Sequence, residues 1–581
     1  MINFIKQKND MKKLAYIVIT SSMFLTTSCV DLTQEPQSFI TEEEYIARMD
    51  LTSLQQATTG LYNDLWNGNY GFNCRLQRIN VCADDITYRA AKANNELANY
   101  YRLTPNITAN NADYKTTWEL FFTVINNANK LINKAVLPED ATLAKQYEEV
   151  LGEAYFLRGL SYFYLVRMYG DLPLILTEED AATNMPRTAV ADIYDQAIIP
   201  SLKKAVELLP TKSRSGFSST PSKWAAEACL ADAYMTMAGW PLKKGQEYYS
   251  LAATTAKNII DNSGLYLTES YAELWKEANK EQANEVMFAI HHNAKLKTAS
   301  NYGKSYYPAD FIPAGWADYY GNEAFYLNYP DDERKAWNYM TEWNTKSGHV
   351  TYKESGDKLP AISKYYNYDN GAPGSSQLAN GITCIYRYAE VLLNYAEAKA
   401  ELGTLTDADW ANTVGVLRAR AGITGGLSAK PTKVDAYFQQ NYFPNISDPV
   451  ILEVRRERSI ELALEGFRFT DLKRWKRGEL MTMRWTGIYV PALNVQMDLD
   501  KDGTPDVIFY KGEKPTGLPA SCTPVSVGEG TQQGLTGADS GNLTWSDDDP
   551  RIWYDDGRQY YYPIPQSAII KNGNLKQNPG W

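Results

Sequence analysis

The chain has 581 residues, with 58 Lys+Arg against 69 Asp+Glu and a formal net charge of −11. That length accommodates several core units or one large helical solenoid with insertions, and an acidic chain without a basic block is a poor nucleic-acid binder. Tyr (42) and Trp (14) are abundant; many of these rings belong in a core, and any on the surface would suit stacking on flat ligand faces, sugars included.

At the N-terminus, Lys6, Lys8, Lys12 and Lys13 precede an apolar run from Leu14 to Leu25, followed by Thr26-Thr27-Ser28-Cys29. The run is too short to span a bilayer and fits a secretory signal. A cysteine directly after small residues predicts a bacterial lipoprotein acylated on Cys29, although Thr26 stands where Leu is more usual. The alternative is an ordinary secretory signal with an incidental cysteine. Met11 opens MKKLAYIVIT, itself a good signal, so either Met1 or Met11 serves as the start. Residues 1–28 are thus read as signal peptide, 29–40 as a tether and 41–581 as one domain. Cys74, Cys82, Cys229, Cys384 and Cys522 form no CxxC pair, which argues against zinc. Cys74 and Cys82 are candidates for a disulfide in an exported protein.

Thr41 to Trp66 reads as one helix, opened by a capping box of Thr41 and Glu44. Asn67 to Arg102 is mixed and loop-like. Asp113 to Val136 returns to helical spacing. Glu148 to Gly170 is apolar on nearly every side, as in a helix inside a protein. Gly170 and Pro173 end it, and Gly152 and Gly159 leave room for a neighbouring helix. Thr188 to Leu209, Pro221 to Gly239 and Gly245 to Asn262 are further helices. Tyr271 to Glu277 is a short helix, and Glu285 to His291 is extended. Thr383 to Leu402, Asp409 to Ala421, Asp448 to Leu464 and Phe467 to Lys476 complete the helices. Lys223 to Gly239 and Ile385 to Gly403 share the Ala/Leu/Tyr-rich form of Glu148 to Gly170, each stopping at a glycine. The pattern is that of tetratricopeptide-like helix pairs at irregular spacing. The predicted fold is mainly α, with long irregular aromatic-rich insertions at about 66–101 and 300–345 and a few short strands. Gly512 to Gly541, rich in Gly, Ser, Thr and Pro, reads as a flexible loop. YYYPIP (560–565) and the final QNPGW read as extended C-terminal packing.

Two segments invite chemical readings. In Val454 to Leu480, Arg458–Glu461 and Glu461–Glu465–Arg468 are spaced to interleave along a helix, while Glu457 and Glu461 repel. A structural, charge-laced helix is the expectation, rather than a pair of catalytic carboxylates. Asp498, Asp500, Asp502, Thr504 and Asp506, with Gly503 at the turn, match the first part of a calcium loop. Phe509 stands where an EF-hand has its bidentate Glu, so the match is to shorter DxDxDG loops carrying a structural ion. The alternative is a polar Asp–Gly turn between the extended segments 488–495 and 507–510.

Several segments together resemble the SusD/RagB family of outer-membrane nutrient-binding lipoproteins. They are the lipoprotein start to Cys29, GEAYFLRGLSYFYLVRMYGDLPLI (152–175), YRYAEVLLNYAEAKAELG (386–403), VRRERSIELALEGFRFTDLKRWKRGEL (454–480) and YYYPIPQSAIIKNGNLKQNPGW (560–581). The resemblance runs along essentially the whole chain in the family's order. It implies four tetratricopeptide-like pairs supporting a variable ligand-binding half, an outer-membrane lipid anchor facing the cell exterior, and a TonB-dependent transporter as partner. It also implies that the two aromatic zones, 66–101 and 302–343, converge on the binding face. Candidate ligand contacts are Tyr70, Arg89, Asn94 and Tyr100 from the first zone, and Trp316, Tyr319, Tyr320 and Trp337 from the second. The ligand class implied is an oligosaccharide, or less often a peptide, with no catalytic cofactor. A glycoside hydrolase needs two carboxylates flanking the scissile bond, which sequence alone does not locate. With only His291, His292 and His349, and neither GxSxG nor HExxH, His-dependent catalysis has few candidates. A pure protein-interaction scaffold accounts for the repeats but not for the dense aromatic insertion.

Overall fold

A computed structural model describes residues 40–66, 83–88, 108–281, 284–293, 295–296, 298, 306–311, 319–322, 325–326, 329–330, 332–352, 354–355, 359–365, 380–482, 489–498, 503–528, 533–535, 537–545, 552–554 and 556–581. The principal helices are α1 (Glu42–Ala47), α2 (Leu51–Trp66), α3 (Ala112–Lys134), α4 (Ala141–Tyr169), α5 (Ile199–Leu208), α6 (Lys223–Ala238) and α7 (Gln246–Asn262). They continue with α8 (Glu333–Asn338), α9 (Tyr388–Glu401), α10 (Ala436–Tyr442), α11 (Pro449–Glu461) and α12 (Phe467–Arg474). The fold is mainly α. Each long helix packs on the next along the chain: α3 on α4, α4 on α5, α5 on α6, α6 on α7, α7 on α9 and α9 on α11. No helix among the described residues is long and apolar enough to cross a membrane.

The sequence of α4 explains its central place. Leu157, Leu160, Tyr162, Phe163 and Leu165 are fully buried and join residues of α2, α3, α5, α6 and α7 in one core. The two glycines of α4 act as predicted. A Cβ on Gly159 would lie 2.9 Å from Leu202 Cδ2, and one on Gly152 would lie 3.1 Å from Leu208 Cβ, so bare backbone lets α5 nest against α4. Gly170, with φ +76, ends the helix. The C-terminal segment then returns to this point. Tyr562 N–H donates to Met168 O at 2.7 Å, and Asn578 Nδ2 donates to Tyr169 O at 2.9 Å and Tyr562 O at 2.7 Å.

Four sequence-based boundaries change. Helix α4 begins at Ala141 rather than Glu148, because Asp140 Oδ1 accepts the Leu143 N–H at 2.8 Å and caps two further turns. Thr41 to Trp66 is two helices, not one. The Thr41/Glu44 capping box opens α1 as expected, but Asp50 Oδ1 accepts Ser53 N–H at 2.7 Å and starts a second helix. Thr383–Arg387, read as the start of a helix, belongs to a strand, because the run Ile382–Arg387 pairs antiparallel with Val286–His291. Short apolar runs fit either structure by periodicity alone. The stretch 512–541 is not all loop.

The strands are short. β1 (Ile86–Tyr88), β2 (Val286–His291), β3 (Tyr319–Gly321) and β4 (Ile382–Arg387) lie against the helical body. β5 (Gln496–Met497), β6 (Val507–Tyr510), β7 (Thr523–Ser526), β8 (Gln533–Leu535) and β9 (Gly541–Trp545) form small sheets in the C-terminal part. Within 512–541, β7 runs parallel to β6, and β8 pairs antiparallel with β9. Cys229, Cys384 and Cys522 are buried free thiols, while Cys29, Cys74 and Cys82 lie outside the described residues.

Candidate functional site

A described segment of each aromatic zone pairs with the other. β1 from the first pairs antiparallel with β3 from the second, in the register Ile86↔Gly321, Thr87↔Tyr320 and Tyr88↔Tyr319. Gly321 is required here, because a Cβ would lie 2.6 Å from the Tyr339 ring. Strand alternation sends the two tyrosines of β3 to opposite faces. Tyr319 enters a cluster with Tyr306, Phe325, Tyr329 and Tyr339, and Tyr320 enters another with Tyr307, Phe311, Trp343 and Tyr352. Their exposures are 2% and 1%, so what these two candidate contacts give the face in this structure is internal support. Trp337, on α8, is half-buried against a core cluster that includes Tyr271, Trp275 and residues of β2 and β4. Tyr70, Arg89, Asn94, Tyr100 and Trp316 lie outside the described residues.

The β1–β3 ribbon is fixed to the scaffold through charge. Arg468 on α12 grips Asp84 through two parallel bonds, Nε–Oδ1 at 2.6 Å and Nη2–Oδ2 at 2.7 Å, while its third arm reaches Ser459 Oγ. A bidentate guanidinium–carboxylate pair fixes orientation as well as distance. Asp85 accepts the Leu464 N–H at 3.2 Å, and its own carbonyl accepts the Asn322 N–H at 3.0 Å. Leu464 (φ +66) and Gly466 (φ +88) form the tight turn between α11 and α12 that aims this N–H outward. Burial, with the neighbouring Asp84 adding to it, raises the Asp85 carboxyl to about 7.

Beneath the ribbon lies a buried ionic network, where sequence spacing pointed to pairs along one helix. Glu461 does not interleave with Arg458. It accepts from Arg387 Nη1 at 2.7 Å, from Arg334 Nη1 at 3.0 Å and from Arg420 Nη2. Glu465 binds Arg387 and Lys364 rather than Arg468, each Nη2 or Nζ contact being 2.8 or 2.7 Å. Glu457 and Glu461, expected to repel, are bridged by Arg334. Arg458 turns to Asp471 and Asn394, and Arg474 forks onto Glu397. The physical reason is burial: side chains shielded from solvent draw their counter-charges from other elements of the fold. Burial acts to raise the Glu461 carboxyl, but Arg420, Arg387 and Arg334 outweigh it and hold it at about 2. Glu397 is likewise held at about 2, burial being overcome by Arg474. Carboxyls so depressed stay ionised and are unsuited to donate a proton as general acids.

The Asp498–Asp506 segment closes the β5–β6 hairpin. Asp506 N–H donates to Met497 O at 2.8 Å, Gly503 takes φ +90, and its N–H donates to Asp498 Oδ2 at 2.8 Å. Asp500 and Asp502 lie outside the described residues. The exposed Asp498 side chain thus reaches across to Gly503, a contact compatible with either reading of this loop.

The site residues that sequence reasoning does not single out are the anchors: Asp84, Asp85, Leu464 and the Arg468 fork. An Asp-Asp pair directly before the β-forming Ile86-Thr87-Tyr88 is the available signal, since a strand entering a core with two acids demands partners.

Two family models match the chain. Residues 230–581 match one described as the SusD family, and residues 39–235 match one described as starch-binding associating with outer membrane. The chain is 27% identical to a SusD-like protein P2 of Formosa agariphila, over 80% of this chain and 91% of that protein. Its fold is similar to the crystal structure of a SusD homolog from Bacteroides thetaiotaomicron, with TM-score 0.70, 19% identity and coverage of 93% and 99%. It is also similar to a SusD-like carbohydrate binding protein from Bacteroides fragilis, with TM-score 0.65, 20% identity and coverage of 92% and 100%. With a family model spanning the C-terminal three-fifths of the sequence and the helical scaffold matching along nearly all of it, the chain belongs to the SusD family.

Proposed function

We propose that the protein is a surface-exposed glycan-binding lipoprotein, not an enzyme, that captures oligosaccharide and hands it to a TonB-dependent outer-membrane transporter. The observation that supports this reading is the β1–β3 pairing, which joins residues 86–88 of one aromatic-rich zone to 319–321 of the other, beside the Asp84–Arg468 pair. A preorganised platform lowers the ordering cost that a flexible polysaccharide imposes on binding. Membership of the SusD family and the starch-binding description of the N-terminal match support carbohydrate as the ligand class. Residues 1–28 act as the signal, Cys29 carries the lipid, 29–40 tether the protein, and 41–581 form one binding domain. The Asp498–Asp506 loop is assigned a structural calcium ion, supported by its ligand spacing and by the turn at Gly503.

The test is affinity electrophoresis and calorimetry of residues 30–581 against a polysaccharide panel, with product analysis of each mixture. Retention without shortened products supports capture and names the ligand class. Release of oligosaccharides would replace it with a hydrolase, and binding of peptides alone would move the protein to the peptide-capturing branch of the family.

A further inference from the structure

A separate cavity of about 140 Å³ opens between the segment bearing Phe325 and Tyr329, helix α10 and the outer side of α11. Its floor is apolar and buried: Phe325, Tyr329, Phe438 and Tyr442 are each 8% exposed or less. Phe438 and Tyr442 stack with centroids 4.9 Å apart and ring planes 28° from parallel. The rim is polar. Asp435 and Tyr437 are exposed there, and Arg456 lies over the Phe438 ring at 4.4 Å. The volume compares with the roughly 150 Å³ cavity that admits a benzene ring, so one six-membered ring fits.

The charges on the rim select among such rings. Arg456 is already paired with Asp435 at 2.7 Å and Glu453 at 3.3 Å. Arg468, at the inner end, is gripped by Asp84. An anionic ligand would have to break one of these pairs to gain its own. A wholly apolar ligand would strip water from the carboxylate, phenol and guanidinium at the rim without replacing their hydrogen bonds. A neutral pyranose meets both demands, with C–H faces for the aromatic floor and equatorial hydroxyls for the rim. We propose that this cavity is a second sugar subsite, taking one neutral pyranose ring of the captured chain. The proposal rests on the oligosaccharide reading above and places a contact at α10, outside both aromatic zones of the sequence.

The test is saturation-transfer NMR on the full-length protein in detergent. The probes are the methyl pyranosides of glucose, galactose and mannose, methyl glucuronide and phenol, and affinity gels with intact polysaccharides run in parallel. Tyr437 is half exposed, so Tyr437→Ala leaves the fold in place. The best neutral pyranoside should weaken roughly three- to tenfold in Tyr437→Ala, the scale of one lost ring contact, and largely recover in Tyr437→Phe. An unchanged affinity in Tyr437→Ala, tighter binding of the glucuronide, or occupation by phenol alone would overturn the subsite. If gels still retain polysaccharide in that case, capture stands without it. If neither gels nor NMR register any sugar, both readings fall.

Discussion

Replacing Glu461 by Gln tests whether the buried ionic network holds the platform together. Glu461 is fully buried and accepts from three arginines drawn from separate parts of the chain, Arg334, Arg387 and Arg420. Its carboxyl is held at about 2, against an ordinary 4.5. At 1.36 kcal/mol per pKa unit, the folded protein prefers the ionised form by about 3 kcal/mol. Because the folded value lies below the unfolded one, this contribution is complete above pH 4.5 and is lost as pH falls toward 2. Glutamine removes the charge and turns an amide N–H₂ toward guanidinium donors, so three buried cations lose a shared partner. The expected loss at pH 7 is about 3–5 kcal/mol, the range seen when one member of a buried pair is removed. Total stability of a domain is only about 5–15 kcal/mol. Urea denaturation followed by tryptophan fluorescence measures it. Glu207→Gln is the control, since Glu207 pairs with Lys204 on the exposed side of α5; it should cost less than about 1 kcal/mol. A Glu461→Gln loss no larger than the control's would refute the reasoning.

Asp85 behaves in the opposite sense. Its folded value, about 7, lies above the ordinary 3.8, so stability falls as pH rises from 4 to 7, by up to about 4 kcal/mol, and levels off above that. Asp85→Asn keeps an acceptor for the Leu464 N–H; it should flatten that slope and raise Tm at pH 8, and an unchanged pH profile of Tm would count against a proton on Asp85. Glycines separate by what lies beside them. Gly60 sits inside α2 where an added Cβ would meet nothing within 4 Å, so Gly60→Ala should gain about 0.5–1 kcal/mol. Gly159→Ala should lose about 1–3 kcal/mol through overpacking against Leu202, and paired denaturant midpoints moving the same way would contradict this. Calcium should raise Tm and chelation lower it, in proportion to ln(1 + [L]/Kd). Asp498→Ala should abolish the shift, and a Tm indifferent to calcium would leave the loop a polar turn.

What can be read from the sequence follows how local the determining interaction is. The C-terminal end of α4 at Gly170, the glycines that admit α5 and the capping box at Thr41 are each set by residues close in sequence, and they appear where spacing places them. The strand at Ile382–Arg387 escapes a reading by pattern because its partner lies about 100 residues away, and an Ala/Leu/Tyr-rich run continues directly from it. The ionic pairs show the limit most clearly. Arg468 has Glu465 three residues before it, yet it binds Asp84, 384 residues distant in sequence. Local spacing describes exposed helices, where i,i+4 neighbours compete only with water; in a dry interior the partner is whichever charge the fold delivers. The convergence of the aromatic zones is an expectation from family resemblance, but the direction of Tyr319 and Tyr320 depends on strand register, which the sequence does not carry.

The arrangement also explains why so polar a core suits this platform. An apolar junction between the ribbon and α12 would tolerate sliding, since hydrophobic contact has no preferred angle. The Asp84–Arg468 fork and the Asp85–Leu464 bond admit one register of β1 against the scaffold. Burying these charges is costly, and replacement by apolar residues can equal or exceed them in stability. What they add is definition. A face that must present rings and hydroxyl partners to a sugar in fixed positions gains affinity from being held before the ligand arrives. The carboxylates that an enzymologist would first notice in α11 therefore work in the protein interior, as the ionised counter-charges of Arg334, Arg387 and Arg420, and their depressed pKa values fit that structural role.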